Sequence, residues 1–193
     1  MHTLRSGCPW DAQQTHETLV TYLIEETAEV VEAIETGDDA LLSEELGDLL
    51  LQVVFHAEIA AEQERFTLDD VADRIADKLI RRHPHVFAAE SPPADLHQSW
   101  EARKRAEKGR TSALDGIPAP LDTVARAAKV ITRSRLHGVA TGLPESPITA
   151  AEVGQEMLAL IGRAQASGVD PDQATRAALR DLEQHLRERE SDG

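Results

Sequence analysis

EELGDLLLQVVFHA, residues Glu44 to Ala57, is the stretch that decides the fold. On a helical wheel Leu46, Leu49, Leu50, Leu51, Val53, Val54, Phe55 and Ala57 surround nearly the whole circumference. A helix apolar almost all round is a buried one. Its polar residues are not scattered: Glu45, Asp48, Gln52 and His56 recur at steps of three, four and four, and so form one stripe. Carboxylates on such a helix require a cation or basic partners, because unpaired charge away from water is costly.

Upstream, residues from Thr15 to Thr36 read as a helix with Leu19, Leu23, Val30 and Ile34 on one face. Gly37 stands where a C′ glycine would end it, and Asp38-Asp39 where the next helix, Ala40 to Glu64, would start. Glu26 falls inside the apolar stripe of the first helix and Glu29 at its edge, while Glu32 and Glu35 point away. A loop this short makes the two helices antiparallel and brings Glu26, Glu29, Glu45 and Asp48 face to face. Acids three apart mean little by themselves: with 35 acids in 193 residues, about six such pairs arise by chance. The burial of the second helix is what gives these two pairs weight. Two carboxylates about 4 Å apart repel by about 4 kcal/mol at an effective dielectric of 20, so four together need compensation. An all-oxygen set selects hard Mg²⁺ or Mn²⁺ over zinc. A helical di-iron site would carry Glu-x-x-His, and no histidine here has an acid three residues before it. The plainer alternative is a carboxylate cluster paired with Lys or Arg.

Downstream, Thr67 and Asp70 form a capping box, and Leu68, Val71, Ile75 and Leu79 stripe a third helix that ends at His83-Pro84. Ala88 to Ala94, with Pro92-Pro93, reads as a linker. Basic helices follow near Asp95–Lys108 and Leu121–His137, closed by Gly138, and two more fill Ala150–Ser167 and Pro171–Arg189. No segment alternates like a strand. The fold class is all-α, a helical bundle completed by dimerisation, since one neighbour cannot cover the second helix.

Composition agrees. Hydrophobic residues make up 41% and aromatics 3%, so the core must be built from Leu, Ile, Val and Ala, a palette that favours helix. A single cysteine, Cys8, fits a reducing cytoplasm, and no apolar run is long enough to span a bilayer. A net charge of −15 argues against general nucleic-acid binding. The charge is uneven, however: Trp100 to Gly138 holds nine Lys or Arg against four acids, +5, which leaves −20 elsewhere. An acidic half beside a basic half suits a protein that holds metal with one and phosphates with the other, although a solvated basic helix face would look the same.

GCPWDAQQTHETL (7–19), EETAEV (25–30), EELGDLLLQVVFHA (44–57), KLIRRHPHVF (78–87), WEARKRAEK (100–108) and SALDGIP (112–118) follow one another as in MazG proteins, and the resemblance covers residues 4 to 138. It implies an all-α nucleoside triphosphate pyrophosphohydrolase, usually dimeric, that converts NTP and water to NMP and pyrophosphate in a house-cleaning role. The family's E-x-x-E and E-x-x-D fall on Glu26, Glu29, Glu45 and Asp48, which would hold Mg²⁺, with Mn²⁺ as a substitute. Family nucleotide contacts fall on Tyr22, on Lys78, Arg81 and Arg82 in K-x-x-R-R, and on Trp100 and Lys104. The general base would be Glu25 or a ligand carboxylate, and His56 is a candidate to support the site. The resemblance divides the chain into a MazG-like unit, 1–138, and a degenerate C-terminal half-repeat, 139–193, structural in role. Within the latter, Glu152-Val153-Gly154-Gln155 echoes Glu45-Leu46-Gly47-Asp48, with Gln in place of Asp and no upstream acid pair. Two rivals stand: a narrower dUTP or dCTP hydrolase of the same superfamily, and a non-catalytic helical dimerisation or regulatory module, against which the four acids speak.

Overall fold

Gly37 adopts φ 71°, a left-handed conformation that a side chain would oppose, and Asp38 then caps the next helix, its carboxylate accepting from the Ala40 and Leu41 amides. This two-residue corner folds α3 (Val20–Thr36) back on α4 (Asp39–Glu62). In the computed structural model, which describes residues 1–88 and 90–191, these are two of ten helices, with no strand among the described residues. The others are α1 (His2–Gly7), α2 (Pro9–Gln13), α5 (Leu68–Arg82), α6 (Pro84–Phe87), α7 (Leu96–Glu107), α8 (Thr123–Leu136), α9 (Ala150–Ala166) and α10 (Pro171–Ser191). The all-α class stands. No helix among the described residues is long and apolar enough to cross a membrane. Packing divides the chain into Met1–Glu90 and Ser91–Gly193. The break falls in the Pro-containing linker, upstream of the 138/139 boundary that the resemblance draws.

In the first unit Leu19, Phe55 and Ile59 form a buried cluster with Met1 packed against it. Arg5 fastens the short α1 and α2 to α4: its guanidinium pairs with Glu62, donates to the carbonyls of Asp11 (2.6 Å) and Gln14 (2.9 Å), and lies over the Phe55 ring. The capping box of Thr67 and Asp70 opens α5 as the sequence indicates. The first helix starts five residues later than its periodicity suggests, since residues 16–19 form a turn.

One expectation needs correction. The second helix is not buried on most of its sides within the chain. Phe55, Ala57, Ile59 and Ala60 are buried, but Leu46, Leu50, Leu51 and Val53 are exposed, Leu50 to 59%. Among the described residues the covered side is the one packed on α3, α5 and the short N-terminal helices, and the remaining apolar arc faces outward, as do Ile24 and Ile34 of α3.

In the second unit Val130, Leu179 and Leu186 form the core, joined by Leu114, Ile117 and Leu182. The SALDGIP segment is tied down by acids: Asp115 accepts from the Thr111 and Ser112 amides, and Glu190 from the Ser112 hydroxyl and the Ala113 amide. Glu183, 6% exposed, is paired with Arg126. By contrast α9 has no buried residue, and its Val153, Met157, Leu158, Leu160 and Ile161 are all exposed.

Candidate metal centre

The antiparallel pairing of α3 and α4 places Glu26, Glu29 and Glu45 so that one carboxylate oxygen from each lies within 4.8 Å of the other two. Glu26, Glu45 and Asp48 are half-buried and Glu29 is exposed. Asp48 stands outside this group of three but close enough for its charge to act on both Glu26 and Glu45. Both of these carboxyls are held above the ordinary range. For Glu26 the causes are lost solvation, then the charges of Asp48, Glu29, Glu45 and Glu25; for Glu45 they are lost solvation, then Glu29, Asp48 and other acids. Among the described residues no cationic side chain figures in these causes. Such an excess of negative charge on hard oxygen donors is the chemistry of a site for a divalent cation.

The other expected site residues fall in three places. Glu25 is exposed on α3 beside the cluster. Tyr22 lies one turn from Glu26 on the same helix, its ring meeting Trp10 edge-on at 5.8 Å, and Trp10 in turn meets Phe55 at 6.5 Å. Lys78, Arg81 and Arg82 lie on the last turns of α5, where Lys78 is half-buried, Arg82 buried and Arg81 exposed. Trp100 and Lys104 belong to α7 of the second unit; Trp100 is half-buried, and Lys104 pairs with Glu101 at 3.0 Å.

Two features went unread in the sequence. Trp10, half exposed, makes an aromatic platform with Tyr22; in a chain with 3% aromatics, a Trp on a short helix before the acid motif was a usable signal. The second is a polar cluster at the far end of the α4 stripe. The His16 and His56 rings lie parallel, edge to edge, with their Nδ1 atoms 2.7 Å apart, and the Arg65 guanidinium contacts His16 Nε2. Burial holds the His56 ring below its ordinary pKa. Between His56 and Asp48 sits Gln52, 5% exposed, its Oε1 without a hydrogen-bond partner among the described residues.

An all-helical chain whose acids converge from two antiparallel helices has the layout of a helical domain that could hold a cation through carboxylates. Residues 14–87, which contain every acid of the cluster, match the model of the MazG nucleotide pyrophosphohydrolase domain. The chain is 47% identical over 183 residues to an uncharacterised 26.1 kDa protein of the blaB 3′ region of Streptomyces cacaoi, covering 92% of this chain and 74% of that one. It is 41% identical over 190 residues to the nucleoside triphosphate pyrophosphohydrolase of Mycobacterium tuberculosis, covering 97% of this chain and 55% of that protein. To the nucleoside triphosphate pyrophosphohydrolase/pyrophosphatase MazG of Thermotoga maritima it is 54% identical over 112 residues, 57% of this chain and 43% of that one. The chain belongs to the MazG family. It spans about half the length of the last two of these relatives, which carry an activity in their names.

Proposed function

We propose that this chain is a magnesium-dependent nucleoside triphosphate pyrophosphohydrolase, converting NTP and water to NMP and pyrophosphate. The observation that carries the reading is the convergence of Glu26, Glu29 and Glu45 within 4.8 Å, with Asp48 beside them. These four would hold Mg²⁺, or Mn²⁺ in its place. A divalent ion held by these residues would supply charge neutralisation on the triphosphate and electrophilic activation of the phosphorus. Glu25, exposed beside the cluster, accepts the proton of the attacking water. Trp10 and Tyr22 offer ring faces to a base one helical turn from Glu26. Lys78, Arg81 and Arg82 contribute donors to phosphate oxygens, and Trp100 and Lys104 are further nucleotide contacts carried over from the resemblance. The substrate class is canonical or non-canonical (d)NTPs, in a house-cleaning role in the cytoplasm.

The exposed apolar arc of α4, with Ile24 at 65% and Ile34 at 60% on α3, supports a homodimer in which a second copy completes the bundle. Residues 139–193 act structurally: Glu152, the echo of Glu45, is engaged in a helix cap with Thr149.

Hydrolysis of an NTP panel in ¹⁸O-labelled water, with and without Mg²⁺, tests the reaction. Label in NMP and none in pyrophosphate is expected, in the presence of the metal only. NDP and orthophosphate as first products would refute it.

A further inference from the structure

The second unit contains a buried charge that the reading above does not use. Arg133 of α8 is 4% exposed. Among the described residues its one hydrogen bond runs from Nη1 to the Asp115 carbonyl at 2.6 Å, while its buried Nε has no partner. A guanidinium removed from water with an unmet donor is costly, because it forfeits hydration without a full replacement. Arg133 lines a cavity of about 500 Å³ between α7 and α8, and Arg105 of α7 lines the same cavity with Gln98, Ser99 and His137. That volume is in the range of small-molecule sites. The Arg105 side chain is exposed and has no acid partner among the described residues. The two acids on the wall are already engaged: Asp95 caps α7 through the Gln98 amide at 2.8 Å, and Glu101 pairs with Lys104.

From this arrangement we infer that the second unit carries an anion site, with Arg105 and Arg133 as its cationic walls, that takes a phosphate-bearing small molecule. Two guanidinium forks match the charge and geometry of a doubly charged oxyanion better than those of a monocarboxylate. Gln98 and Ser99 add neutral donors, and Ala102 and Leu136 leave apolar wall for an organic group. The local field agrees, since His137 is held below its ordinary pKa by burial and then by the charges of Arg105 and Arg133. The cavity adjoins the nucleotide contact surface through Glu101, which pairs with Lys104, but neither Trp100 nor Lys104 lines it. A helix advances about 100° per residue, so Gln98, Ala102 and Arg105 lie on the far side of α7 from that pair. The inference stands independently of the proposed reaction.

The test is calorimetric titration of the metal-free full chain with inorganic phosphate, pyrophosphate and AMP, at matched ionic strength. Saturable binding of at least one of them at one site per chain is expected, and the arm that binds tightest identifies the source of the phosphate. Arg105→Gln should weaken binding at least tenfold while leaving the circular dichroism unchanged, because its side chain is exposed; Arg133→Gln, checked for folding in the same way, should do the same. Glu45→Gln and Lys78→Gln should leave binding intact. No saturable binding in any arm would overturn the proposal. So would binding that survives Arg105→Gln but is lost in Lys78→Gln, since the anion would then belong to the first unit.

Discussion

Helices α4 and α9 share a string of letters and use it in opposite ways. Glu45-Leu46-Gly47-Asp48 lies two turns into α4, past the Asp38 cap, where the acids face those of α3. Glu152-Val153-Gly154-Gln155 begins in the first turn of α9, because that helix begins at Ala150 behind a Thr149 cap. The Glu45 carboxyl is accordingly raised by lost solvation and neighbouring acids. That of Glu152 is lowered by hydrogen bonds from the Thr149 hydroxyl and amide, 2.7 and 2.8 Å away. A glutamate becomes a candidate ligand or a cap according to where its helix starts and what faces it, and the residue string alone does not decide which.

The largest break should be in turnover. Loss of groups that merely support a metal ligand typically costs 10–100-fold, so Glu26→Gln, Glu29→Gln, Glu45→Gln or Asp48→Asn should each lower Mg²⁺-dependent kcat/KM by about 100-fold or more. Glu152→Gln should leave it nearly unchanged, and near wild-type rates for two of the four cluster variants would remove the metal assignment. Installing the missing acid sharpens the contrast: Gln155→Asp should add no second Mg²⁺ in calorimetry, since Glu152 is held by its cap and no acid pair precedes it. Assembly comes next. Light scattering should give twice the chain mass of 21.1 kDa, and Leu50→Glu on the exposed arc of α4 should return it to one chain. A single-chain mass for the unmodified protein at micromolar concentration would exclude the dimer.

The pH dependence should differ in sign between the two helices. Glu26 and Glu45 have folded pKa values above their unfolded ones, so their contribution favours the metal-free fold at low pH and is lost as pH rises through the raised values. Glu152, lowered, stabilises above the unfolded carboxyl range and loses that effect as pH falls through its folded value. Melting curves in EDTA from pH 3 to 8, each variant subtracted from wild type, should show opposite slopes for Glu45→Gln and Glu152→Gln; equal slopes would contradict the described environments. The smallest effect is that of the cap itself. Thr149→Ala should cost about 1 kcal/mol, a fall in Tm of about 2–4 °C for a chain of this size, with kcat unaltered.

The local signals were legible in the sequence. Gly37, Asp38 and the box of Thr67 and Asp70 act within one turn of chain, and each appears where the residues indicate. The meeting of Glu26, Glu29 and Glu45 was legible because the Gly37-Asp38 corner leaves α3 and α4 one way to pair. The features that stayed hidden depend on distant partners. The short α1 and α2 carry no periodicity and are held by Arg5 against Glu62, 57 residues away. The exposure of Leu50 cannot be read from a helical wheel, which records apolar sides but not whether the same chain supplies a neighbour for them. Glu152 was different: the T-x-x-E box was present in the letters, and the echo of Glu45 drew attention from it.

The contact between Arg65 and His16 also fixes the direction of a hydrogen-bond chain. A guanidinium only donates, so His16 must accept at Nε2, as a neutral ring with its one proton on Nδ1. That proton is aimed at His56 Nδ1, which must then accept, leaving the His56 proton on Nε2. The two rings, meeting edge to edge, are therefore held as opposite tautomers, chosen by an arginine that touches only one of them. The chain starts at Arg65, beyond the end of α4, and finishes as a fixed N–H donor on the polar stripe that holds Gln52, Asp48 and Glu45.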